Sequence, residues 1–96
     1  MNPNLMFVRS VRVGAHISLH EKHLEQFVKR AKMYEASIDV IKNGVTRDAK
    51  DFVEILSLAV MGGDTITIQA SGKDKVKAVN GLIGLLKDME DQVTNN

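Results

Sequence analysis

Two adjacent residues, Asn43 and Gly44, constrain this chain more than any others. Before them Ile38 and Val40 alternate with Ser37, Asp39 and Ile41, the period-2 signature of a half-buried strand. Asn and Gly both tolerate positive φ, which both central positions of a two-residue type I′ turn require. The chain is therefore expected to reverse at Lys42-Asn43-Gly44-Val45 and to pair antiparallel through about Ala49.

The remaining segments follow from changes of period. Phe7 to Val13 alternates, with Val11 and Val13 on one face and Arg12 on the other, and predicts a first strand. Leu24, Phe27, Val28, Ala31 and Tyr34 then recur at helical spacing opposite Glu25, Lys29, Arg30 and Lys32, predicting an amphipathic helix of about three turns. Asp51-Phe52-Val53-Glu54 has the form of a capping box at the start of a short helix to about Val60, with Phe52, Ile55, Leu56 and Ala59 as its apolar positions. Met61-Gly62-Gly63-Asp64 ends that helix, since a glycine just beyond a helix adopts the left-handed conformation without cost. Thr65 to Ala70 alternates with Ile66, Ile68 and Ala70 inward. Ser71-Gly72 leads to a last helix carrying Val76, Val79, Leu82, Ile83, Leu85 and Leu86, with Gly81 and Gly84 in its interior. The order is β-α-β-β-α-β-α. Three helices cover only one face of four mostly antiparallel strands, so the expected fold class is α+β, an open-faced β-sandwich. One domain over residues 1–96 is expected, with frayed tails at about 1–5 and 91–96.

Composition narrows the function. A chain of 96 residues buries roughly 60–70% of its unfolded surface, enough for one modest core. Hydrophobic residues at 44% and charged ones at 26% argue against wholesale disorder. Without cysteine there is no disulfide, thiolate cluster or thiol nucleophile. A formal charge of +1 argues against a nucleic-acid partner attracted by bulk charge. No apolar run approaches the roughly 18 residues of a membrane helix, and the N-terminus lacks a signal-peptide pattern, so no membrane insertion and a cytoplasmic location are expected. The three histidines, His16, His20 and His23, all fall within one short stretch.

The order of elements, QFVKRAKMY at 26–34, KNGVTRDAKD at 42–51 and GGDTITIQASG at 62–72 together resemble the HPr family, from about Ser10 to Glu90. Its members are histidine-containing phosphocarriers of the bacterial phosphoenolpyruvate-dependent sugar phosphotransferase system. The family's phosphorylation loop, Gly-(Leu/Ile)-His-(Ala/Thr)-Arg-Pro-Ala, falls on Ser18-Leu19-His20-Glu21-Lys22-His23-Leu24. The resemblance implies that His20 accepts phosphate and that Lys22, standing where the family has arginine, stabilises it. Ser18 replaces the family's glycine and His23 its proline. The family's regulatory serine, phosphorylated by a kinase in many Gram-positive bacteria, falls on Asp51, and its partner-docking apolar patch on Phe52, Val53 and Leu56. The implied partners are enzyme I and sugar-permease components. The implied role is carriage of a phosphoryl group and not turnover of a substrate; no cofactor is called for.

The residues themselves support that chemistry and also load it. Neutral imidazole is nucleophilic near physiological pH, and a helix N-terminus offers unpaired N–H groups and a positive dipole end to an anion. Lys22 adds a point charge without arginine's planar fork. Glu21 sets a negative charge beside the acceptor, and Ser18-x-x-Glu21 forms a capping box that competes for the same N–H groups. His16, His20 and His23 at i, i+4, i+7 are a weak metal pattern, because zinc wants three or four converging ligands, and no metal is expected. Asp51 is either a helix cap or a partial mimic of phosphoserine with one charge. A second function class therefore stands beside the carrier: a non-catalytic regulatory or adaptor protein that binds a partner through Asp51 and the Phe52, Val53 and Leu56 patch.

Overall fold

The computed structural model describes residues 5–15 and 21–94. Its elements are β1 (Phe7–Arg12), α1 (Glu21–Ala31), β2 (Ser37–Lys42), β3 (Val45–Asp48), α2 (Phe52–Ser57), β4 (Thr65–Ser71) and α3 (Lys75–Thr94). The four strands form one sheet in the order β1-β4-β2-β3, and every neighbouring pair is antiparallel. This is the open-faced α+β architecture the periodicity implied.

The hairpin turn has the expected geometry: Asn43 lies at φ 51° and Gly44 at φ 79°. It sets the register Lys42 opposite Val45 and Val40 opposite Arg47. Alternation then fixes the faces. Ile38, Val40, Ile66, Ile68 and Ala70 are buried beneath the helices, while the other parity is polar apart from Val8 and Ile41, with Ser10 and Thr67 hydroxyls 3.1 Å apart and Gln69 donating to Asp39 at 3.4 Å. Helix α1 buries Leu24, Phe27, Val28 and Ala31, and α3 buries Ala78, Val79, Leu82, Ile83, Leu86 and Met89. Burial of each larger side chain contributes about 1.5–3 kcal/mol. One core joins the sheet to both helices.

Local expectations are corrected at several points. Helix α2 stops at Ser57, with Leu58 as its C-cap, and the chain turns left-handed first at Ala59, φ 49°, and again at Gly63, φ 92°. The early stop changes which side chains face inward: Leu58 and Val60 are buried, whereas Leu56 and Ala59 are exposed. Half of the capping box is present. The Asp51 carboxylate accepts the Glu54 amide at 3.1 Å, but the Glu54 carboxylate takes the Asp48 amide at 3.1 Å. Helix α3 also continues through Asp91 to Thr94, and Val76 in its first turn is exposed.

Gly81 has a packing reason: a β-carbon there would strike the Tyr34 hydroxyl. Gly84 faces open space. The turn between α1 and β2 is tied to the start of α3 by Asp74, whose Oδ1 accepts the Ala36 amide at 2.8 Å and whose Oδ2 accepts the Glu35 amide at 3.0 Å.

Candidate functional site

His16, Ser18, Leu19 and His20 lie outside the described residues, so the site is built from what flanks them. Helix α1 begins at Glu21, the residue after His20. Its opening N–H groups have no partner within the helix and, with the helix dipole, favour negative charge nearby. Lys22 is exposed in this first turn and His23 is half-buried. Among the described residues, no three His, Asp or Glu side chains gather as metal ligands.

On the other side of the segment the chain leaves β1 through Val13 and Gly14. Val13 is fully buried. Its amide donates to the Asp64 carbonyl at 2.8 Å, and its carbonyl accepts the Gly63 amide at 2.8 Å. The turn before β4 thus grips both polar groups of Val13. Gly14 is crowded from the α3 side, where a β-carbon would overlap the Glu90 carboxylate. Glu90 Oε2 is buried there without a hydrogen-bond partner.

The turn that grips Val13 is itself held by Lys42. The Lys42 ammonium lies 2.9 Å from Asp64 Oδ2 and donates to the carbonyls of Leu58 at 3.1 Å and Ala59 at 2.8 Å. Its three N–H groups therefore have three acceptors. Asp64 Oδ2 also accepts the Met61 amide at 2.8 Å. That amide, followed by the Lys42 hydrogen bond, holds the Asp64 carboxyl below its ordinary value of 3.8.

Asp51 is the N-cap of α2 and is exposed. Of the three expected docking residues, Phe52 is half-buried and packs against the core, Val53 is 72% exposed and Leu56 is 43% exposed. The patch therefore divides, with Phe52 seating the helix and Val53 and Leu56 facing outward. Helix α2 packs beside α1, the helix that follows His20.

Sequence reasoning missed Lys42, Asp64 and Glu90. For Lys42 a signal was available, because it continues the inward parity of Ile38 and Val40, and a lysine on an apolar face needs partners. Asp64 and Glu90 carry no local pattern.

Residues 7–88 match the family described as PTS HPr component phosphorylation site. The phosphocarrier protein HPr of Buchnera aphidicola subsp. Acyrthosiphon pisum is 35% identical over 85 residues, which cover 88% of this chain and 100% of that protein. The crystal structure of a phosphocarrier protein HPr from Bacillus anthracis is 33% identical, covers 85% of this chain and 98% of its own, and superposes with a TM-score of 0.81. The HPr-like protein Crh of Halalkalibacterium halodurans is 29% identical, covering 85% of this chain and 98% of that protein. An open-faced sandwich of this topology, with a helix starting beside a histidine, is the architecture of a phosphoryl carrier. This chain belongs to the HPr family of the phosphotransferase system. No described helix is long and apolar enough to cross a membrane.

Proposed function

We propose that this protein carries phosphoryl groups between components of the phosphotransferase system, with His20 as the acceptor. The observation carrying this reading is the family match over residues 7–88, which takes in His20 and both flanking segments. Phosphorylated enzyme I is the donor. A neutral imidazole nitrogen of His20 attacks its phosphorus, an N–P bond forms on His20, and the bond between phosphorus and the donor breaks. The carrier then passes the group to a sugar-permease component or another acceptor in the cytoplasm. The opening amides of α1 and the exposed Lys22 ammonium stabilise the phosphoryl oxygens. His23 in place of proline leaves one more N–H in that first turn. The protein is a carrier in this scheme, restored by each onward transfer.

Incubation with phosphoenolpyruvate and the host's enzyme I should place an acid-labile phosphate on His20, and His20→Ala should lose it. Failure to label this protein while another HPr is labelled in the same tube overturns the assignment.

The exposure of Val53 and Leu56 beside Asp51 supports a second reading, a regulatory protein that binds a partner through α2. It requires that Leu56→Lys or Asp51→Lys abolish partner capture while His20→Ala leaves it intact. Loss of capture in His20→Ala rejects it.

A further inference from the structure

Lys42 is a charged residue on the core-facing side of β2, with a side chain only 17% exposed. Such a placement costs desolvation unless every donor is used, and here each is. Two of its acceptors are the carbonyls of Leu58, the C-cap of α2, and of Ala59 just beyond it, and the third is the Asp64 carboxylate. Asp64 in turn belongs to the pair of residues that hold Val13 by both its amide and its carbonyl. Val13 is the last buried residue of the described stretch that precedes His20 in sequence. A continuous path of polar contacts therefore runs from the end of the α2 helix, through Lys42 and Asp64, to the root of the phosphorylation segment.

We propose that the Lys42–Asp64 pair is a positioning device for phosphoryl transfer, holding the Gly63–Asp64 turn against Val13 and so fixing the point from which the His20 segment departs. This rests on His20 being the acceptor. In-line transfer tolerates little displacement of the attacking nitrogen, so a loosened root lowers the fraction of encounters that react. The Lys42 donors are all taken by acceptors within the protein. Lys42 and Asp64 act through the backbone of Val13, while the exposed face of α2 stays as it is. The pair consequently governs the rate within the docked complex and leaves docking itself alone.

The test uses the full chain as the substrate of phosphorylated enzyme I. Lys42→Met keeps the length of the side chain and removes its charge and donors. It should lower kcat about tenfold, as a misplaced nucleophile does, with KM within about twofold of wild type. Asp64→Asn retains an oxygen for the Met61 amide and should act in the same direction. The double variant should be no worse than the worse single one, since both break one link. Lys42→Arg should recover kcat to within about twofold, because a guanidinium offers donors to the same three acceptors. Exchange of the Val13 amide should quicken about tenfold in Lys42→Met through local opening. A core variant remote from this path, Val79→Ala, should lose stability and keep its kcat. Wild-type Val13 exchange in Lys42→Met, a loss appearing in KM alone, or an equal loss of kcat in Val79→Ala overturns the proposal. If the wild-type chain itself takes no phosphate, the acceptor assignment fails, and Val13 exchange still decides whether Lys42 anchors that residue.

Discussion

The Asp74 carboxylate receives the Ala36 amide at 2.8 Å and, through its other oxygen, the preceding amide of Glu35 at 3.0 Å. One side chain thus joins the chain's entry to β2 with the start of α3, residues far apart in sequence. The Glu35 amide does most to hold the Asp74 carboxyl below 3.8; partial dehydration opposes it, and the Ala36 amide and Lys50 act with it. Asp64 is depressed as well, chiefly by the Met61 amide. In the unfolded chain both groups take up protons near 3.8, and in the folded chain only at lower pH. Their contribution is therefore fully present above 3.8 and is lost as pH falls through the folded values. Urea midpoints should be flat across neutral pH and drop below about pH 4, with a shallower drop in Asp74→Asn. An acid profile as steep in Asp74→Asn as in wild type would remove Asp74 from this account.

The two glycines inside α3 should respond oppositely to alanine. Gly84 meets open space, so Gly84→Ala gains helix propensity and should stabilise by about 0.5–1 kcal/mol. Gly81 faces the Tyr34 hydroxyl, and Tyr34 packs against the core. Gly81→Ala should cost about 1–2 kcal/mol despite the same propensity gain, because the ring must move out of well-packed surroundings. Thermal or urea unfolding of the two variants, compared in one buffer, checks the opposite signs.

Ala59 occupies the left-handed region at φ 49°, where a β-carbon is disfavoured. Ala59→Gly relieves that strain and should stabilise by about 0.5–1 kcal/mol, after the larger entropy of an unfolded glycine is deducted. The substitution leaves the Ala59 carbonyl available to Lys42. A destabilised Ala59→Gly would mean that the turn carries no strain of this kind.

Gly14 and Glu90 form a steric pair beside the root of the His20 segment. Gly14→Ala should cost about 1 kcal/mol, the low end of overpacking, because the obstacle is the far end of a flexible side chain that must shift from its buried place. Glu90→Ala removes both the obstacle and a buried oxygen that lacks a partner. Combined with Gly14→Ala, it should recover most of the loss, a coupling that a double-mutant cycle reads directly. Additive effects would show that the two residues do not press on one another.

What the sequence made legible was whatever local chemistry decides. Asn43-Gly44 specifies its own turn, Thr65 to Ala70 shows its faces by alternation, and α1 shows its stripe. The errors arose where a distant group intervenes. The end of α2 is stabilised by Lys42 from another strand, so the helix stops early and Leu58 and Val60 replace Leu56 and Ala59 inside. Glu54 serves the Asp48 amide instead of its own helix start. Arg9 sits on the inward parity of the edge strand β1, opposite Ile68, and reaches Asn80 of α3 at 2.7 Å, a contact no local pattern contains. The site divides in the same way. Asp51 as the cap of α2 follows from sequence, whereas the grip on Val13 exists only once β1 and β4 are adjacent.

Helix α2 offers the sharpest separation between fold and docking. Ile55 is 3% exposed and Val53 is 72% exposed, two positions apart on the same short helix. Ile55→Ala empties core volume and should cost about 2–4 kcal/mol. Val53→Lys exchanges one solvated side chain for another and should stay within about 0.5 kcal/mol of wild type. Function should invert the order. At a temperature where both variants remain folded, and with α2 as the proposed docking helix, Val53→Lys should raise the KM for phosphoryl transfer from the proposed donor by severalfold with little change in kcat, because a charge now stands in that apolar patch. Ile55→Ala should transfer phosphate at close to the wild-type rate. Unchanged kinetics in both Val53→Lys and Leu56→Lys would show that partners approach by another face.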